Sequence, residues 1–318
     1  MAFDARPYLK EIARGQRAAR DLTREQARAL FAAVFAGEVE DLALGAVLTA
    51  FRVKGETAEE LAGMMDALAP HARPLQLPAR RAAVIVPSYN GARKLANLVP
   101  LLALLIAREG VAVVLHGVAQ EPARVSTFDI LAEMGERAVA SIAEAEERLE
   151  AGRIAPVPVE VLSPDLARVV AARLVTGVRN TGHTLAKLML PTGVSAAAAS
   201  RLVSVTHPEF QKLMRDYFAT TPANVFLMRG VEGEPVVRLH APQPIEQVDP
   251  TGALVTRLLR DCEAPQLPAR DAQATAEWTR DVLDGNIDVP AAISQQAQLL
   301  VDQSREAATA RPVLRLVS

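Results

Sequence analysis

The sequence predicts an α/β protein: a small all-helical N-terminal domain joined to a larger α/β domain whose central, mostly parallel sheet is flanked by helices. Three observations lead there. Half of the 318 residues are hydrophobic but only 4% are aromatic, a balance that favours helices around a modest sheet over a β-sandwich. From Tyr8 to Pro70 the apolar residues recur at helical spacing, and no strand pattern intervenes. Beyond Pro78 the period changes, and two short apolar runs at 83–86 and 111–117 enclose a helix-length segment, which makes a βαβ unit with parallel strands.

Taken in order, helices are expected at 8–16, 23–36, 41–53 and 57–68. Thr23 stands three residues before Gln26, and Thr57 three before Glu60, so each pair can form a capping box over orphan amides. Pro70, Pro74 and Pro78 in "PHARPLQLPARR" remove amide donors and fix φ, giving an extended linker and a domain boundary. The domains are then 1–72 and 73–318, with helices from about 164–192 joining the first. In the second domain a helix is expected at 95–108 between the two strands, then helices at 126–134 and 139–149 and a strand in "VPVEVL", 157–162. Ser163 as N-cap and Pro164 at the first helical position open the next helix. Strands are expected at 201–205, 225–229 and 236–240, and helices at 208–218, 272–283 and 291–308. "SAAAAS" at 195–200 reads as a helical turn.

The net charge of −2 hides an uneven distribution. Residues 80–108 hold five Lys/Arg and no acid, and residues 168–215 hold seven against Glu209 alone. Either these are chance clusters in an arginine-rich chain, or they are basic surface built into an acidic protein. The lone Cys262 allows neither an internal disulfide nor a thiolate zinc site, which points to a cytoplasmic location. "MAFDARPYLKEIARG" is too charged for a signal peptide, and the longest apolar run, 95–107, is shorter than the ~20 residues of a membrane span, so no membrane is implied. The histidines at 71, 116, 183, 207 and 240 have no metal-ligand spacing and no acidic cluster suits calcium, so no metal site is expected.

No nucleophile elbow, Walker loop or GxGxxG motif is present. The stretch "VIVPSYNGARK", 84–94, leaves a strand for a turn with one glycine and two adjacent cations. Ser88 and Asn90 offer neutral hydrogen bonds, Arg93 a bidentate fork and Lys94 a point charge, a set suited to phosphate. The plainer reading is a turn with two solvated cations. In "RLVTGVRNTGHTLAKLMLP", Arg179, His183 and Lys187 recur at four-residue steps. Such spacing makes a cationic stripe roughly 12 Å long on one helix face, enough to meet two successive phosphates, or else an ordinary solvated face.

These segments in this order resemble the anthranilate phosphoribosyltransferase and class III nucleoside phosphorylase superfamily over nearly the whole chain. Where its enzymes carry a GTGGD loop for the pyrophosphate of phosphoribosyl pyrophosphate, this chain has Pro87-Ser88-Tyr89-Asn90-Gly91. "LHGVA" stands for KHGNR, keeping His116 and Gly117, and Asp129 matches the aspartate of the next helix. Arg173, Gly177 and Arg179 match the segment read as RxLGxRTxFNxLGPLTNP, with Arg173 in the region that would hold the carboxylate of anthranilate. Pro235 and Val236 replace the Asp-Glu pair that holds Mg²⁺, and Glu234 alone cannot substitute for it. "YNGARK", "RNTGHTLAKL", "RGVEGEP" and "AEWTRDVLDG" together resemble the YbiB-type DNA-binding branch.

The resemblance implies a cytoplasmic homodimer, paired through the helical domain, that binds nucleic acid, DNA favoured, without sequence preference and without a cofactor. The residues expected to hold phosphate are Ser88, Asn90, Arg93, Lys94, Arg173, Arg179, His183, Lys187, Arg201 and Lys212. His116, Gly117 and Asp129 would be remnants of an active site. The alternative is a phosphoribosyl or other glycosyl transferase with an altered site, using Mg²⁺ and phosphoribosyl pyrophosphate.

Overall fold

A computed structural model gives the fold of residues 3–309, apart from residue 16 and residues 79, 80, 195–198, 222, 261, 262 and 264. Cys262 and most of "SAAAAS" therefore lie outside the described residues. The N-terminal layer holds α1 (Arg6–Ile12), α2 (Arg24–Phe35), α3 (Asp41–Lys54) and α4 (Ala58–Leu68). Both expected capping boxes form, Thr23 with Gln26 and Thr57 with Glu60. Glu60 is buried yet satisfied, accepting from the amides of Leu22 and Thr57 and from Lys54.

The helices α2 and α4 cross so closely that a Cβ on Gly63 would lie 2.1 Å from the carbonyl oxygen of Arg24. Gly63→Ala must push two helix backbones apart, and the expected loss is about 1–3 kcal/mol in chemical denaturation. A loss below about 0.5 kcal/mol, the scatter of neutral surface changes, would contradict this crossing.

The second layer runs β1 (Ala83–Ser88), α5 (Val99–Arg108), β2 (Ala112–Gly117), α6 (Thr127–Glu133), α7 (Ile142–Glu150), β3 (Ala155–Pro158), α8 (Val159–Leu162), α9 (Pro164–Ala171), α10 (Arg173–Thr176) and α11 (Thr181–Leu188). It continues with β4 (Ser200–Val205), α12 (Pro208–Thr220), β5 (Val225–Arg229), β6 (Ile245–Val248), β7 (Leu254–Arg257), α13 (Ala272–Asp284) and α14 (Ala291–Thr309). The seven-stranded sheet has the order β3-β2-β1-β4-β5-β6-β7, parallel from β3 through β5 and antiparallel at β6 and β7. Val84, Val86, Val113 and Leu115 face the core built with α5, α13 and α14. Ala83, Ile85, Ala112 and Val114 face the opposite core, shared with the N-terminal helices, α9 and α11. Burial on both faces explains why these strands read as unbroken apolar runs.

Three expectations fail for local reasons. The strand expected through 157–162 ends at Pro158, and Val159–Leu162 turns into α8. The helix expected from residue 95 starts at Val99, where the Asn97 side chain accepts from the Val99 amide. The segment 236–240 is not a strand: Val236, Val237 and Leu239 are buried without a ladder, and Gln296 of α14 takes the amide of Val237 and the carbonyl of Pro235. The sheet instead gains the hairpin β6–β7. Among the described residues no helix is long and apolar enough to cross a membrane.

Candidate functional site

From β1 the chain crosses through α5 to β2 on one side, and from β4 it crosses through α12 to β5 on the other. The strand order therefore reverses between β1 and β4, and ligands of open α/β sheets bind beyond the carboxyl ends at such a point. Two structures meet there, the loop after Ser88 and the turn after Val205. The loop is closed on its far side by paired backbone bonds between Ala92 and Val125.

The loop's amides converge as an anion nest, and the chain's own carboxylates occupy it. Glu234, 2% exposed, accepts from the amides of Asn90 at 2.5 Å and Gly91 at 2.6 Å, and from the hydroxyl of Ser88. Glu232 accepts from the amides of Arg93 at 2.8 Å, Lys94 at 3.0 Å and Leu95 at 3.4 Å. Burial alone would raise the Glu232 pKa, but these three amides bring it below the usual carboxylate range. Ser88 and Asn90 are thereby buried and committed, whereas the Arg93 and Lys94 side chains are exposed and have no partner among the described residues.

The four-residue spacing of Arg179, His183 and Lys187 does place them together, but facing inward. Arg179 donates to the carbonyls of Tyr89 and Asn90 and to the Asn90 side chain, which braces the loop. Lys187 donates to Ser204 O at 2.8 Å and Gly233 O at 3.1 Å, tying down the segment that carries the two glutamates. His183 is buried against its own N-cap, Asn180. Beside them lies a cavity of about 110 Å³, whose lining includes Arg52, Asn90, Arg179, His183, Lys187 and Thr206. Burial first, then the charges of Arg124 and Arg173, lowers Arg179 to about 10, and burial with the charge of Arg179 lowers Lys187 to about 8.

The remaining expected site residues are placed otherwise. Arg173 pairs with Glu121. Arg201 is a core residue, donating to Leu188 O with its guanidinium 5.3 Å from the Phe218 ring, so it cannot meet a phosphate backbone. Lys212 is exposed on α12 and paired with Asp216. Asp129 caps α6 through a reciprocal pair with Ser126. His116 lies beneath the loop with Nδ1 2.8 Å from the Tyr89 hydroxyl. Gly117 is required by close approach, since a Cβ there would stand 1.9 Å from Ser88 O.

Both buried histidines stay neutral. Burial first, then the charge of Arg201, lowers His116 to about 3, while burial and then Arg179 and Arg173 lower His183 to about 3. Between an unfolded value of about 6.5 and these folded values, the unfolded chain binds protons that the native chain refuses. Stability should therefore fall as pH drops below about 6.5, by on the order of 1 kcal/mol per pH unit per histidine. Urea titrations from pH 7 to pH 4.5 should show that loss, and a flat profile would contradict neutral burial.

Sequence comparison follows the same architecture. Residues 6–72 match the helical bundle domain of the glycosyl transferase family. The YbiB protein of Escherichia coli strain K12 is 38% identical over 310 residues, covering 96% of both chains. The chain belongs to the YbiB family. It shares with that family the scaffold of the anthranilate phosphoribosyltransferases: the Thermus thermophilus protein of that name is 30% identical over 219 residues, 68% of this chain and 64% of its relative. The chain thus aligns with less than two thirds of that relative's length. In three dimensions the crystal structure of a Thermus thermophilus anthranilate phosphoribosyltransferase matches with a TM-score of 0.73 at 26% identity, covering 96% of this chain and 90% of its own. The Saccharomyces cerevisiae enzyme in complex with PRPP and Mg matches in fold, with a TM-score of 0.72 at 15% identity over 95% of this chain and 91% of its own.

In the YbiB-family chain described here the residues do not fit a Mg²⁺-bound diphosphate. Pro235 and Val236 bring no carboxylate, and the nearby Glu232 and Glu234 are committed to backbone amides. Sequence reading missed the part played by these glutamates, because their partners lie about 140 residues away. It also missed Arg52, which only the packing of α3 brings to the cavity.

Proposed function

We propose that this protein grips the phosphates of a nucleic acid, DNA favoured, and does not transfer a phosphoribosyl group. The observation that carries this reading is the occupied nest. The amides that could cradle a diphosphate already hold Glu232 and Glu234, while Arg52, Arg93 and Lys94 stand without partners among the described residues. Free exposed cations suit sequence-independent contacts to a phosphate backbone.

A second copy of the chain would double the basic surface. The reading includes a homodimer through the helical layer, supported by the exposed Leu42 (88%) and Val53 (58%) on α3 beside a groove lined by Ile12, Ala46 and Ala50. Light scattering should give twice the chain mass, and Leu42→Arg should halve it. An unchanged mass in that variant would count against this face.

The likeness to proteins named anthranilate phosphoribosyltransferase supports a second reading, a transferase with an altered site. One experiment separates the two. Consumption of phosphoribosyl pyrophosphate with anthranilate and Mg²⁺ is expected to be absent, while labelled oligonucleotides are retained at low salt. Turnover together with failure to retain DNA would establish the transferase instead.

A further inference from the structure

The cavity beside α11 is lined by three cations and no carboxylate. Arg52 comes from α3 in the helical layer, Arg179 from the turn before α11, and Lys187 from α11 itself. Glu234, whose charge acts on both Arg179 and Lys187, turns its oxygens to Ser88, Asn90 and Gly91. Lys187 uses two of its three ammonium protons on Ser204 O and Gly233 O, leaving one to donate. Arg52 has no partner among the described residues. Asn180, His183 and Thr206 add neutral polar groups to the wall.

Drawing Arg179 and Lys187 partly out of water, beside the exposed Arg52, is costly unless a counter-charge joins them. The depressed values of Arg179 and Lys187 report that cost. The cavity has room for a tetrahedral oxyanion beside these groups.

We propose that this cavity is a binding site for a phosphate dianion, either free orthophosphate or the terminal phosphate of a strand, held by Arg52, Arg179 and Lys187. The strand-end source rests on the nucleic-acid reading above, whereas the site itself does not. It is separate from the amide nest, which Glu232 and Glu234 keep closed.

The test is calorimetric titration of inorganic phosphate into the full chain at low ionic strength, for the unmodified protein, Arg52→Ala and Lys187→Met. One saturable site is expected, at least tenfold weaker in Arg52→Ala, whose exposed side chain can be removed without disturbing the fold. Lys187→Met should behave likewise if circular dichroism shows it folded. A 5′-phosphorylated oligonucleotide competing with free phosphate, where its 5′-hydroxyl twin does not, assigns the strand end as the ligand. Equal behaviour of the two oligonucleotides, with phosphate still bound, assigns orthophosphate. Phosphate binding without any oligonucleotide binding would remove the nucleic-acid reading and leave this site standing. No saturable phosphate binding, or phosphate binding unchanged in Arg52→Ala, would overturn the proposal.

Discussion

Glu234→Ala is expected to be the most damaging single substitution in the site, destabilising the fold by about 3–5 kcal/mol. It strands the amides of Asn90 and Gly91 in a buried setting, each at about 1–3 kcal/mol, while the Ser88 hydroxyl keeps only Thr127 as partner. It also removes the carboxylate that offsets the partly buried Lys187. Glu232→Ala should cost less, because Glu232 is partly exposed and water can reach the amides it leaves. Thermal and urea denaturation of both variants would check the ranking. A Glu234→Ala protein within about 1 kcal/mol of the parent, no worse than an ordinary surface change, would mean that the carboxylate does not hold the loop.

The alternation of helices and strands was legible in the sequence because burial on both faces leaves unbroken apolar runs such as 83–86, and because caps such as Thr23, Thr57 and Ser163 mark helix starts. The hairpin β6–β7 was not legible. "IEQV" and "LVTR" mix polar and apolar residues at a sheet edge, whereas the apolar 236–240 buries its side chains and satisfies its backbone through Gln296. For the site, a four-residue period shows that Arg179, His183 and Lys187 share a side, but not whether that side faces water. Only the packing of α11 against β4 and the loop after β1 turns it inward. The plug of Glu232 and Glu234 depends on contacts across the sheet, for which no local pattern exists.

The combined change Arg52→Ala, Arg93→Ala and Lys94→Ala should weaken nucleic-acid binding by on the order of 10²-fold at low salt, taking about 1 kcal/mol for each exposed charge contact. All three side chains are free of ion pairs among the described residues, so stability should change by only a few tenths of a kcal/mol per site. Their loss should also flatten the salt dependence, by about one unit of slope for each phosphate contact removed. Filter retention of a labelled oligonucleotide, with circular dichroism to verify folding, would measure both effects. A triple variant that binds as tightly as the parent would move the interface elsewhere.

On the proposed function, the loop after β1 serves phosphate grip and not catalysis. The most direct test is the affinity of the full chain for single- and double-stranded oligonucleotides of several lengths across a salt series. Binding should be indifferent to sequence, tighten with length, and fall linearly on logarithmic axes with a slope of magnitude about 3 or more, a slope the triple variant flattens. No binding at low salt, or binding indifferent to salt, would contradict it.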